Sequence, residues 1–231
     1  MLASAPPRAT RAAFFEDFFL FTAAQWTDTN DSGTGAVGLL AAAGAAGGWL
    51  SVATAAAAND YHLITAPIAI EFKADRPVIT EIRFKVTESS ANTAHWCVGL
   101  LDTVTTGFMA DTTGEPPASW DGAVIYKPAG AAVIKAKSSN GSASVANTNL
   151  GTFVSGATYT AGITFHPKDG TTGEVQFFLN EMGSSSSFVV FPPHKILLAS
   201  MAPMALAFGI KASASAAETI LVDYVGCEIT R

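Results

Sequence analysis

The chain has 231 residues, 49% of them hydrophobic and only 14% charged, with a formal net charge of −6. An ordinary soluble domain carries about 25% charged residues, so this surface is built largely from Ala, Gly, Ser and Thr. It suits a subunit held against neighbours, or reflects an Ala-rich genome. The 13 basic residues are scattered, which excludes the basic stripe of a nucleic-acid binder.

Residues 1–13 read as a flexible arm. Arg8 and Arg11 stand there among Ala, Pro, Ser and Thr with no acid before Glu16, a composition that orders against a partner or frays. The first eight residues lack the charged start and apolar core of a secretory signal. Residues 14–21, with Phe14, Phe15, Phe18 and Phe19 around Glu16 and Asp17, predict an edge or lid strand, with a short amphipathic helix as the alternative. Residues 25–35 form a loop dense in turn formers. Residues 36–58 carry no charge, yet Ala and Gly dominate and neither end has Lys or Arg, so a membrane span is not expected. Strands are predicted at 49–52 and 61–65.

Residues 78–88 alternate most cleanly. Val78, Thr80, Ile82, Phe84 and Val86 face one side; Glu81, Arg83 and Lys85 face the other. A period of two is the pattern of a half-buried strand, packed most simply on a second sheet. A strand at 95–101 follows, then the largest loop, 102–121. Residues 122–127 and 131–137 flank a hairpin, and Asn140-Gly141 is a turn signal. Asp169-Gly170 joins 158–165 to 173–180, the strongest hairpin signal of the chain. Residues 204–211 and 218–229 close the fold. The expectation is one all-β antiparallel two-sheet domain over residues 14–231, with ten to fourteen strands and little or no helix.

This order of elements resembles the concanavalin A-like jelly-roll sandwich of the legume-lectin and laminin-G type. The Phe-rich opening, the strand Glu81–Val86, the strand from Trp96, the Asp169-Gly170 hairpin and the returning Phe208 and Ile220–Val225 segments carry the resemblance. With the charge-poor surface, the whole also resembles decoration or cement proteins and other accessory virion proteins of tailed bacteriophages. That resemblance implies a partner in the major capsid protein and in copies of itself, as a homo-oligomer such as a trimer. It places the protein on the virion surface, made in the host cytoplasm, with no cofactor, membrane or nucleic acid.

Catalytic constellations are not found. No two of the 19 carboxylates stand at i, i+2, the spacing that would put a retaining glycosidase pair on one strand face. His62, His95, His166 and His194 lie far apart, and no Gly-x-Ser-x-Gly elbow occurs. Cys97 and Cys227 form no disulfide framework; they are read as separate buried thiols, with spatial neighbours as the alternative. Asp28, Asn30 and Ser32 stand at calcium-loop positions 1, 3 and 5 with Gly33 at 6, but Leu39 occupies position 12, where a bidentate Glu belongs. Asp28, Asn30 and Asp31 are therefore either a loose cation site or a polar turn.

Two functions compete. One is the non-enzymatic virion protein, with Arg8, Arg11, Phe14, Phe15, Phe18, Phe19 and Trp120 as candidate partner contacts. The other is a lectin-like carbohydrate-binding module on a phage tail or cell surface. It would use Trp120 with Asp121, because pyranose faces stack on flat rings and carboxylates take hydroxyls; Trp26 with Asp28 is the second choice. Tryptophans in a sandwich are also core or interface anchors.

Overall fold

The computed structural model describes residues 11–18, 21–31, 35–40, 48–102, 108–111, 113–117, 119–141, 144–183 and 189–230. Sixteen strands are present among them: β1 (Arg11–Glu16), β2 (Thr27–Asn30), β3 (Ala36–Leu40), β4 (Trp49–Ala53), β5 (Tyr61–Thr65), β6 (Val78–Thr87), β7 (Ala94–Leu101) and β8 (Trp120–Lys127) in the first half. β9 (Val133–Gly141), β10 (Ser144–Thr152), β11 (Thr158–Pro167), β12 (Thr172–Glu181), β13 (Val189–Val190), β14 (His194–Leu197), β15 (Ala205–Ala212) and β16 (Thr219–Thr230) complete the set. The described helical structure is one 3₁₀ turn, Ala23–Gln25. No helix there is long and apolar enough to cross a membrane.

Every strand pairing is antiparallel. A nine-stranded sheet runs β13-β12-β11-β6-β16-β4-β3, with β14 also on β12 and β1 also on β16. A seven-stranded sheet runs β10-β9-β8-β7-β15-β5-β2. β6 behaves as its alternation predicts: even-numbered residues from Val78 to Val86 are buried and the odd-numbered ones face outward. The two inner faces interdigitate in one core, where Phe84 meets Trp96 at 5.1 Å between ring centroids and Phe72 stacks on Phe165 at 4.3 Å. Each such buried large side chain stabilises the fold by about 1.5–3 kcal/mol.

The central strands of the seven-stranded sheet are covered on both faces, so every residue of β5, β7 and β8 is buried. Its outer side carries a second cluster, in which Tyr61, Leu63, Leu101, Trp120 and Val124 pack beneath Phe108 and Met109 of the 102–119 connection. Lysines on the sheet fasten that connection. Lys211 Nζ donates to the Met109 carbonyl at 3.0 Å and pairs with Asp111, Lys137 Nζ donates to the Pro116 carbonyl at 3.0 Å, and Lys135 pairs with Glu115 at 3.0 Å.

Several sequence expectations need correction. Arg11, Ala12 and Ala13, expected in a flexible arm over 1–13, pair instead with Thr230, Ile229 and Glu228 of β16; residues 1–10 lie outside the described residues. The loop ends before Trp120-Asp121, which open β8 opposite Gly141 and Asn140. The Asn140-Gly141 signal stands at the end of β9, where the chain folds back: Ser144 of β10 pairs with Asn140, and Gly141 takes a positive φ of 49°. β10, with a bulge between Asn149 and Gly151, had no predicted counterpart. The cysteines follow the expectation of separate buried thiols: both are free, Cys97 in the outer cluster and Cys227 in the main core.

Candidate functional site

The outer face of the nine-stranded sheet carries the most distinctive chemistry. Register places Val190, Phe178, Gly162, Glu81, Gly226 and Phe15 in one row across β13, β12, β11, β6, β16 and β1. Glycine inside a strand marks a close approach, and here each glycine lies under an aromatic ring. A Cβ on Gly162 would stand 1.7 Å from Phe178 Cζ, and one on Gly226 would stand 3.4 Å from Phe15 Cδ2. The rings therefore lie along the sheet on either side of Glu81. Phe15 is 66% exposed and Ile79 46%, so apolar surface faces water where strand alternation would place polar groups.

A register shift in β16 between Val222 and Tyr224 turns both Asp223 and Tyr224 outward, the usual consequence of a bulge. Asp223 pairs with Arg83 at 2.9 Å, and the guanidinium lies 5.9 Å from the Trp49 ring centroid. The Tyr224 hydroxyl donates to Glu81. Burial, then this contact with Glu81, pushes the phenol up to about 12, so it remains a donor at neutral pH. Its ring lies 5.8 Å from that of Phe15. Together Ala13, Phe15, Ile79, Glu81, Tyr224 and Glu228 line an open depression of about 290 Å³. Across β1 a second depression of about 260 Å³ is lined by Ala12, Phe14, Ile68, Ala69, Cys227 and Ile229.

The residues singled out from sequence scatter. Phe15 is at this face; Phe14 turns inward, with its ring 5.8 Å from Trp26. Phe18 is fully buried, with a positive φ of 52°, against Trp26 and Phe208, so it is not an outward contact. Arg8 and Phe19 lie outside the described residues, and Arg11 contributes backbone to β1. Trp120 is 2% exposed, which takes it away from any sugar or partner. Asp121 is spent inside, accepting backbone N–H bonds from Gly141 and Ala202 at 2.6 Å each.

Of the residues expected in a loose cation site or polar turn, Asp28 and Asn30 lie on strand β2. Asp28, on β2, takes His62 Nδ1 at 3.0 Å and the Asn30 amide at 3.1 Å. Asp31 lies against Asp60, whose carboxyl is raised by burial and by that contact. Ser32 and Gly33 lie outside the described residues. No group of three or more His, Cys, Asp or Glu among the described residues is placed to hold a metal ion.

Three of the four histidines are buried rather than at the surface. His194 lies between Ser138 Oγ, 3.0 Å from Nδ1, and Thr148 Oγ1, 2.8 Å from Nε2. A serine–histidine contact of this length is how a nucleophile is activated. Here both side chains are sealed in the interior, and the contact ties β14 to β9 and β10. The sequence hid the outer row because its members are distant: glycines in two separate strands, with Glu81 in a third.

No protein-family model matches the chain, and no curated protein matches it in sequence. Solved structures do match in fold. A protein of unknown function from Shewanella oneidensis MR-1 superposes with a TM-score of 0.63 at 12% identity, over 98% of this chain and 90% of that one. The lectin UEA-II in complex with galactose gives a TM-score of 0.66 at 11% identity, over 95% and 99%. The carbohydrate recognition domain of Emp46p in metal-free form gives 0.55 at 13% identity, over 92% and 94%. At these identities the likeness is one of fold, and the fold is the concanavalin A-like sandwich.

Proposed function

We propose that this chain is a non-enzymatic carbohydrate-binding module whose site is the outer face around Phe15. The observation that carries the reading is an exposed phenyl ring lying over Gly226 beside the Glu81 carboxylate and Tyr224. A sugar offers an apolar ring face and a rim of hydroxyls. Phe15 and Ile79 take the face, while Glu81 and Glu228 accept hydroxyl hydrogens in a depression of about 290 Å³, at the lower end of ligand-site volumes. The likeness to lectins supports a binding role by analogy of fold. Isothermal titration against a panel of neutral glycans tests it. Binding that Phe15→Ala abolishes supports the site, and no binding to any member of the panel overturns it.

A second reading is the virion structural protein, docked on a major capsid protein and on copies of itself. It is supported by the edge position of β1, which among the described residues pairs only with β16 and has an apolar depression on each side. Many weak copies of such a contact add up through symmetry. Sedimentation of the purified protein as a homo-oligomer, reduced to monomer by Ala13→Asp, supports that reading; a monomer at all concentrations counts against it.

A further inference from the structure

Resting on the carbohydrate reading, we infer that the depression at Phe15 favours sugars that carry a positively charged amino group over neutral sugars of the same shape. Two register rows frame it. One holds Phe15, Gly226 and Glu81 on β1, β16 and β6, and the next holds Ala13, Glu228 and Ile79 on the same three strands. Glu81 and Glu228 therefore stand on neighbouring strands, diagonal to one another, a separation of about 7–8 Å between backbones. Gly226, beside Glu228 on β16 and opposite Glu81, has no side chain to part them or to lift the Phe15 ring from the sheet.

Charge complementarity selects the ligand. The described residues that line the depression include both carboxylates and no Lys, Arg or His. Arg83, two residues from Glu81 on the same face of β6, pairs with Asp223 at 2.9 Å and lies against Trp49 instead. A recess walled by one sign of charge and by apolar groups concentrates the opposite charge. The exposed ring adds to this, because an ammonium within about 6 Å of a phenyl face is attracted by its quadrupole. Glu81 has capacity for it: a carboxylate offers about four acceptor positions, and the Tyr224 hydroxyl uses one, on Oε1. A sugar hydroxyl donates here without charge. Replacing that hydroxyl by an ammonium keeps the hydrogen bond, makes it charge-assisted, and leaves the sugar's shape unchanged.

The test is titration calorimetry at about pH 6, where an amine is protonated and a carboxylate ionised. The probes are glucosamine oligomers, N-acetylglucosamine oligomers and cello-oligosaccharides of equal length, which share one backbone and differ in one substituent, with n-hexylamine as an amine that lacks the sugar. The expected result is that the glucosamine series binds about fivefold or more tighter than either neutral series. That advantage should shrink between about 0.1 and 1 M salt, as the screening length falls from ~10 to ~3 Å. Glu81→Gln, which keeps an acceptor for Tyr224, should bring the affinity ratio of charged to neutral series toward one, and Glu228→Gln should lower it; a thermal melt confirms that each variant folds. Equal affinity for the three series, or a ratio that neither salt nor Glu81→Gln alters, overturns the inference while leaving the carbohydrate reading intact. Binding of n-hexylamine as tight as that of the glucosamine oligomers also overturns it, since the recess would then recognise an ammonium alone. Absence of binding to every probe overturns both.

Discussion

Replacing Glu88 by Gln tests how this charge-poor chain uses one of its few buried ion pairs. Glu88 Oε1 accepts from Lys127 Nζ at 2.7 Å and from the Ala94 N–H at 3.0 Å, and Oε2 accepts from the Asn92 N–H at 3.0 Å. The two side chains are 3% and 0% exposed. Lys127 Nζ also donates to the Ala94 and Pro128 carbonyls at 3.0 and 3.3 Å and lies 5.2 Å from the Phe153 ring centroid. A glutamine amide turns a donor toward one of three donors and leaves the ammonium without its contacting counter-charge; Glu218 acts on it only at longer range. Breaking a buried pair from one side costs about 3–5 kcal/mol. In a domain of this size that lowers Tm by about 6–20 °C. Urea denaturation of Glu88→Gln reads the loss directly. The double variant Glu88→Gln/Lys127→Met removes the stranded charge and lets the Gln amide donate to the Ala94 carbonyl, so it should be more stable than Glu88→Gln alone. A loss below about 1 kcal/mol in the single variant, or simple additivity in the double, refutes the reasoning.

Two further outcomes follow from buried groups. His95 lies beneath the 108–117 connection, its Nδ1 accepting the Ala129 N–H at 3.2 Å. Burial first, then the charges of Lys211 and Lys127, push its pKa from 6.5 down to about 4, against a smaller opposing pull from Asp111 and the Gly114 N–H. Between those values the unfolded chain binds the proton and the folded chain does not, so His95 stability is full above pH 6.5 and falls as pH drops, by about 3 kcal/mol at pH 4. His95→Gln, which keeps an acceptor for Ala129, should flatten that part of the stability–pH curve; an unchanged acid limb contradicts the assignment. The thiols provide the other: burial pushes Cys227 up to about 12 and Cys97 higher still. A thiol reagent at neutral pH should therefore label neither in the native protein and both in denaturant, and native labelling would contradict the packing.

Legibility followed the local physics. Residues 78–87 could be read because one face is apolar and the other charged, and burial confirms each position. Asp169-Gly170 could be read because turn chemistry is local: the Asp169 carboxylate takes the N–H groups of Thr171 and Thr172 at 2.7 and 2.6 Å. β10 could not, because Ser, Ala, Asn and Thr give no alternation; its place is set by pairing with β9. Trp120 reads as a loop aromatic because nothing near it in sequence tells that Phe108 and Met109 cover the second face of its sheet. Among the phenylalanines of the opening run, a turn through Phe18 at positive φ sends that ring into the core and leaves Phe15 outside. The row from Phe15 to Phe178 joins strands from both ends of the chain, and only register brings it together.

The most direct test of the central claim is glycan titration of the native protein beside Phe15→Ala, read by calorimetry and by chemical-shift changes. Phe15 is 66% exposed, so its removal should change stability by less than about 0.5 kcal/mol and leave the fold intact. The account predicts that a neutral oligosaccharide binds the native protein, shifts resonances of Glu81, Tyr224 and Gly226, and loses affinity at least about tenfold in Phe15→Ala. Equal affinity in the two proteins, or shifts confined to the seven-stranded sheet, would contradict it.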